Sequence, residues 1–360
     1  MHPDIVILGA GVIGASVAWH LAQRGCRNIV VLDRANDFGG GSTSKATGGF
    51  RAQFEMETEV RLSLRSREKL IAFPDEIGCD SGYRPVGYLF LACNEDELAS
   101  MRNAQTVQHA CGVSESRMVT AKEVRAINPA IGDATVIGGS FCPTDGFIRP
   151  MNILRGYADA AKRLGVKFEF GVEHRGWRVE ADRVVAAQTS NGDVQAGVFI
   201  NAMGAWSGAP VVAVRRNIAA TVPTSILSES MPMTIWAGDW YHVRARDGRV
   251  LLVWPDDPPY EHWLAWVQRL TRSRMPCLAD VPIDECWMGF YEMTPDGRAL
   301  LGRSPSFSNV FLATGCSGHG VMHAPAIGEV VAEMVMGTAS SIDVRDLRPD
   351  RWNAGVSPAE

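Results

Sequence analysis

The chain of 360 residues contains no C-x-x-C pair. Its eight cysteines are scattered from Cys26 to Cys316. That distribution argues against a disulfide scaffold, a thiolate zinc site and an iron–sulfur cluster, and it suits a reducing compartment. No stretch approaches the ~18 uninterrupted apolar residues of a membrane span. The apolar N-terminus lacks the basic start of a signal peptide, carries Asp4 and is broken by three glycines. The expectation is a cytoplasmic protein without a membrane span. Positive charge is not in excess, the net charge being −5, so nucleic acid is not an expected partner. Internal repeats and low-complexity tracts are also missing. What remains is 46% hydrophobic and 21% charged, which supports a sizeable core and about two domains.

The first thirty-five residues carry the clearest pattern. Ile5-Val6-Ile7-Leu8 reads as a buried parallel strand. Gly9-Ala10-Gly11-Val12-Ile13-Gly14 follows at once, and Ile13, Val17 and Leu21 recur at helical spacing up to Gly25. Ile29-Val30-Val31-Leu32 is a second buried strand, ending at Asp33 about twenty positions after Gly14. This is the dinucleotide fingerprint with strand, helix, strand and acid in register. Gly9 permits the tight turn. Gly11 lets the backbone approach a pyrophosphate, beside Val12 and Ile13 at the helix start. Gly14 lets the helix pack on the strand, and the free N–H groups of that helix end face an anion. Asp33 would accept hydrogen bonds from ribose hydroxyls, with Arg34 next to it as a further cofactor contact. The motif alone leaves FAD and NAD both open.

Phe38 to Phe50 is rich in glycine and hydroxyl side chains, and Arg51 stands just beyond. Such a loop lets a flat ring system lie against backbone. The run Gly41-Ser42-Thr43-Ser44-Lys45-Ala46-Thr47-Gly48-Gly49-Phe50-Arg51 resembles the flavin-contacting segment of the D-amino-acid-oxidase-like flavoproteins. That family includes sarcosine oxidases, dimethylglycine dehydrogenases and glycine oxidases. A second match is Ala313-Thr314-Gly315-Cys316-Ser317-Gly318-His319-Gly320-Val321, followed by Ala324-Pro325-Ala326-Ile327-Gly328-Glu329. The spacing predicts a strand over 310–315, a turn, and a helix over 324–336 whose Pro325 is tolerated in the first turn. Asn201 to Ser207, with Ala202, Gly204 and Trp206, and Thr294-Pro295-Asp296-Gly297 are partial matches.

The resemblance implies an α/β fold: a discontinuous Rossmann-type FAD-binding domain over 1–82, 145–212 and 290–345, with a mixed-sheet α+β substrate domain over 83–144 and 213–289. Residues 346–360 are expected to be a mobile tail. Helical spacing over 151–163 and strands over 166–170, 183–189 and 194–201 fall in the FAD domain, where Val172 is implied as a backbone contact to adenine. Strands over 88–92, 218–223, 240–244 and 250–253 fall in the substrate domain. FAD is expected to be noncovalent, because the position of the covalent cysteine in sarcosine oxidases falls near Gly289 and Cys286 is off register. Cys316 is an alternative attachment point. The turn Gly315 to Val321 would bring a helix N-terminus to the edge of the flavin where negative charge collects on reduction. No metal is expected, since His319 and His323 have no nearby carboxylate to complete a ligand set.

By the same resemblance the reaction oxidises the C–N bond of a small amino acid or an N-methylated or cyclic amine, such as sarcosine, dimethylglycine or proline. A hydride passes to flavin N5 and the imine is hydrolysed. Arg51 is the candidate carboxylate-binding cation. Tyr291 stands where glycine-oxidase-like members place an arginine. Tyr241 and His242 are candidates for lining the site, His319 belongs to the flavin turn, and one or two of Trp236, Trp240, Trp254, Trp263 and Trp266 could roof the pocket. The loop 254–260 could be a lid or a subunit contact. The lysines that sarcosine oxidases use for oxygen and for carboxylate have no counterpart here, since no lysine follows Lys167. That favours a dehydrogenase over an oxidase, with oxygen, a quinone or an electron-transfer protein left open as acceptor and homo- and hetero-oligomers both open. The alternatives are a glycine-oxidase-like oxidase of primary amino acids and a non-catalytic flavoprotein assembly or partner subunit.

Overall fold

Ile5–Leu8 is buried at every position, as expected of a strand with neighbours on both sides. In the computed structural model, which describes residues 2–256 and 258–354, it lies inside a six-stranded sheet. The order is Leu300–Arg303, Val310–Thr314, Val198–Asn201, Ile5–Leu8, Ile29–Asp33, Lys167–Phe170. All neighbours run parallel except Leu300–Arg303, which is antiparallel to Val310–Thr314.

Helix Val12–Gln23 is apolar almost all round and buried along nearly its whole length. It can be so because Gly320–Met336 and Pro150–Arg163 both pack on it. Gly14 makes the helix–strand contact possible, since a Cβ there would fall on the Gly9 carbonyl. Gly328 of the closing helix does the same against Ser16 and His20. One cluster of apolar side chains therefore joins the first turn of the chain to its last helix.

The second sheet has eight strands in the order Ile283–Met293, Val212–Thr221, Arg249–Val253, His242–Arg246, Met233–Trp236, Tyr88–Ala92, Gly138–Cys142, Arg117–Thr120. It is mixed, with Met233–Trp236 parallel to Tyr88–Ala92. Strand alternation gives it two faces. One face carries Leu89, Leu91, Trp236, Tyr241 and Val243, packed under helix Tyr260–Arg274 and its buried Trp263. The other carries a row in register across six strands: Trp287, Ile218, Val253, His242, Ile235, Phe90. This second face looks toward the first sheet.

Three readings need correction. The stretch 194–201 is two elements: Gly192–Gln195 closes a hairpin with Arg183–Thr189, and Val198–Asn201 enters the large parallel sheet. The segment from 346, expected as a tail, is packed as far as Trp352. Leu347 is buried and Arg351 makes a double ion pair with Asp296 at 2.7 and 2.8 Å. The remainder, 355–360, lies outside the described residues, as does Asp257 of the loop 254–260. Finally, helices Glu57–Ile77 and Glu95–Ala110 were not foreseen. No helix among the described residues is long and apolar enough to cross a membrane.

Candidate active site

A cleft of about 1330 Å³ runs between the C-terminal end of the parallel sheet and the His242 face of the mixed sheet. It is larger than the ~300–1,000 Å³ usual for one small ligand. Its near end is built by residues 8–13, 32–36 and 171–174. Helix Val12–Gln23 begins there at Gly11, an N-cap residue with no side chain to turn onto the helix end, which leaves that end open to an anion. Asp33 Oδ2 accepts from the Ala10 N–H at 2.7 Å and Oδ1 from the Ala35 N–H at 2.8 Å. These bonds fix the carboxylate at the strand end while leaving lone pairs for another donor. Across the cleft, the Arg34 guanidinium lies 4.1 Å over the Trp206 ring.

The middle is floored by residues 39–49. Thr43 Oγ1 accepts from the Val12 N–H at 3.3 Å, and Ser42 Oγ donates to the Phe290 carbonyl at 2.7 Å. Trp287 Nε1 donates to the Lys45 carbonyl at 3.0 Å. Two arginines of the mixed sheet hold the same loop: Arg244 donates to the Thr47 carbonyl, and Arg246 to the Ala46 carbonyl at 3.4 Å. Burial lowers Arg244 to about 9, with Arg246 adding to the effect. The loop thus turns its carbonyls to fixed cations. Glycines keep its other side low; a Cβ on Gly49 would collide with the Tyr88 hydroxyl.

At the far end, helix Gly320–Met336 also starts without a side-chain cap. Gly318 has φ +92°, and a Cβ there would strike the Tyr291 ring, so that ring lies directly on the turn. Arg51 comes in from the opposite wall. Its Nη1 donates to the Gln53 carbonyl, its Nη2 lies 3.2 Å from His319 Nε2, and its guanidinium stacks 3.7 Å over Phe54. Among the described residues no carboxylate pairs with it within 4.0 Å. Burial lowers the Arg51 pKa from its ordinary value, opposed by Tyr88 and Glu59. His319 is driven well below the imidazole range by burial and by Arg51. Glu59 approaches His319 Nδ1 at 3.7 Å, and burial pushes its carboxyl up to about 7.

The candidates named from sequence converge here with three exceptions. Gly14 and Gly315 lie behind the cleft wall, where a Cβ would meet the Gly9 carbonyl and Thr294 Cγ2. Tyr241 is not in the site. It faces the other side of its strand, fully buried, with its hydroxyl 2.7 Å from Thr271 Oγ1. Its neighbour His242 takes the cleft side. Its Nδ1 lies 3.0 Å from the Trp240 carbonyl, so Nδ1 carries the proton and Nε2 keeps its lone pair. Burial lowers its pKa to about 4. Of the tryptophans only Trp240 and Trp206 line the cleft. Trp240 is 49% exposed and held at φ +56°. Trp236, Trp254 and Trp263 are core, and Trp266 lies against Trp254.

Sequence reasoning missed three contributors: Glu292, Lys45 and Arg216. Glu292 borders the cleft, accepting from the Cys316 N–H at 3.0 Å and Thr314 Oγ1 at 3.0 Å, and burial raises its pKa. Cys316 beside it is raised well above the thiol range by burial and by Glu292, which keeps it protonated. Lys45 and Arg216 also line the cleft. A polar residue flanked by ordinary strand residues gives no signal of which face it takes. His323 Nε2 lies 2.9 Å from Ser63 Oγ, and no cluster of three ligating side chains occurs among the described residues. A carboxylate does stand near the pair, contrary to the sequence expectation, since Glu59 lies 3.7 Å from His319 Nδ1.

These features fit a flavin dinucleotide: two helix starts whose N-cap residues make no side-chain cap open into one cleft, joined by a floor of glycine backbone. The comparisons agree. Residues 4–334 match the family model described as FAD dependent oxidoreductase, DAO. The chain is 29% identical over 359 residues to the bifunctional protein ThiO/ThiG of Trichormus variabilis, covering 93% of this chain and 53% of that protein. It thus spans about half the length of that relative. It is 26% identical to glycine oxidase of Bacillus subtilis, covering 98% of both. Among solved structures, L-proline dehydrogenase from P. horikoshii superposes with a TM-score of 0.90 at 28% identity, covering 98% of each chain.

Proposed function

The chain belongs to the DAO family of FAD-dependent oxidoreductases, and from that premise we propose that it oxidises the C–N bond of a small amino acid whose nitrogen is secondary or part of a ring. The observation that carries this reading is the Arg51 guanidinium, buried at the cleft wall with no carboxylate among the described residues to neutralise it. A buried cation is costly unless an anion completes it. A substrate carboxylate is the anion that suits a planar guanidinium, through two parallel hydrogen bonds.

FAD, held by the cleft when bound, would supply the redox chemistry as the acceptor of a hydride from the carbon next to the substrate nitrogen. The protein holds and orients. Arg51 fixes the carboxylate, and the Tyr291 ring, seated on Gly318, bounds the substrate on the side of the closing turn. His242 Nε2 offers a lone pair to the substrate N–H. The burial and positive charge that keep His242 and His319 neutral also favour the neutral amine over the ammonium, and only the neutral amine has the lone pair that expels a hydride. The substrate leaves as an imine, which water converts to a carbonyl compound and an amine; the two stay in one molecule when the nitrogen was part of a ring.

A secondary or cyclic nitrogen is favoured over a primary one by Tyr291 in place of an arginine, and by the likeness to L-proline dehydrogenase. The FAD is read as noncovalent, because Cys316 is held as a thiol and Gly289 offers no attachment. We assign residues 1–82, 145–212 and 290–345 to the cofactor and 83–144 with 213–289 to the substrate. The test is anaerobic: N-methyl, cyclic and primary amino acids are added in turn and the oxidised flavin band is followed. Bleaching by N-methyl or cyclic amino acids ahead of glycine supports the reading, and bleaching by none of them overturns it. Slow recovery in air with fast recovery on adding a quinone identifies a dehydrogenase.

A further inference from the structure

Two guanidiniums act on Tyr291. Arg216 lies on the neighbouring strand, and its Cζ is 5.3 Å from the centre of the Tyr291 ring. Strand register puts Arg216 opposite Gly289, on the same face as Ile218 and Tyr291, so its side chain points into the cleft rather than to the far face. Gly289 removes the side chain that would otherwise lie across from it. Arg51 also acts on the Tyr291 phenol, and both cations oppose the rise that enclosure imposes on its pKa. Arg216 Nη1 donates to the Arg215 carbonyl at 3.2 Å, and its buried Nε has no hydrogen-bond partner among the described residues. The nearest buried acid on the adjoining strand, Glu292, is occupied by Cys316 and Thr314. Asp256 also borders the cleft, but it is exposed to solvent.

A single substrate carboxylate completes Arg51 and leaves Arg216 facing the same cavity. Building on the proposed reaction, we propose that Arg216 is a second carboxylate-binding residue and that the preferred substrate is an amino acid carrying two carboxylates. One carboxylate lies on Arg51 and the other on Arg216, with the nitrogen between them near His242 and Tyr291. The second carboxylate can sit on the N-substituent or on the side chain. Either placement asks for the same pair of guanidiniums, and the two are told apart by experiment.

The experiment uses the FAD-loaded enzyme and three probes: N-ethylglycine, iminodiacetate and N-methylaspartate. Flavin reduction is followed anaerobically with each, in the wild type and in Arg216→Gln. At least a tenfold higher kcat/KM for one dicarboxylate over N-ethylglycine is expected, and that ratio collapses toward one in Arg216→Gln. Preference for iminodiacetate places the second carboxylate on the nitrogen substituent, and preference for N-methylaspartate places it on the side chain. Equal rates for all three, or a ratio unchanged by the substitution, overturn the inference while leaving the proposed reaction standing. Reduction by none of them, with sarcosine and proline also inert, fails the reaction itself. Binding then still tests Arg216, because succinate should perturb the flavin spectrum at concentrations at least tenfold lower than propionate. Equal concentrations overturn the inference, and this comparison needs only the wild type should the variant fail to fold.

Discussion

Arg51 donates from Nη2 to Nε2 of His319 across 3.2 Å. A guanidinium has only donors, so His319 must present Nε2 as a lone pair and carry its proton on Nδ1. The driven-down imidazole pKa agrees with a neutral ring. Neutral His319 thereby steadies Arg51 without cancelling its charge, which remains available to a substrate carboxylate.

Removing this cation separates binding from turnover. Arg51→Gln should raise KM for carboxylate substrates by roughly 10- to 100-fold, the weight of a charge-assisted hydrogen bond at about 1.5–3 kcal/mol, with a smaller effect on kcat. Steady-state kinetics with an artificial electron acceptor check this. An unchanged KM takes Arg51 out of the site.

Glu59 gives a pH signature. Its folded pKa of about 7 lies above the ordinary 4.5 because the carboxyl is buried. The folded state therefore binds the extra proton. The stability it contributes is complete below about 4.5 and is lost as pH rises through 7. The difference between wild type and Glu59→Gln should shift against the wild type from pH 5 to pH 8, by roughly 3 kcal/mol at most. Arg51, Arg298, Asp346 and Glu55 all act on this group, so the comparison of the two proteins is the informative quantity. Thermal melts across that range check it. A constant difference refutes the buried-acid assignment.

Gly318→Ala should cost flavin occupancy. The added methyl meets the Tyr291 ring and the residue is held at φ +92°, so both the ring and the turn must shift. The ratio of visible flavin absorbance to protein absorbance after purification should fall relative to the wild type. Full occupancy would mean that the turn does not contact the cofactor.

Asp296→Ala should destabilise the chain by roughly 3–5 kcal/mol, because it strands the buried Arg351 charge. Both side chains of that pair are only 4% exposed. Denaturant melts measure it. A change under 1 kcal/mol would show that the C-terminal segment is not anchored through this pair.

Much of the cofactor end was legible in the sequence because its chemistry is local. The Gly9 to Asp33 fingerprint and the Gly41 to Arg51 loop are contiguous, and backbone approach needs glycine at fixed spacing. The substrate end was harder to read because strand pairing assembles it. Whether Tyr241 or His242 faces the cleft depends on a one-residue register that an apolar–polar alternation as weak as Trp240-Tyr241-His242-Val243-Arg244 does not declare. Arg216 and Glu292 are likewise given their faces by the pairing of Val212–Thr221 with Ile283–Met293. Polar composition suggested a tail from 346, but one buried ion pair and a few apolar anchors pin it as far as Trp352.

The most direct test is a crystal structure of the flavin-loaded protein with a small carboxylate inhibitor. The isoalloxazine is predicted to lie between the Gly41–Gly49 loop and the Gly318–Val321 turn, with the inhibitor carboxylate paired to Arg51 beside Tyr291. A ring placed outside that crevice, or a carboxylate held without Arg51, would contradict the account.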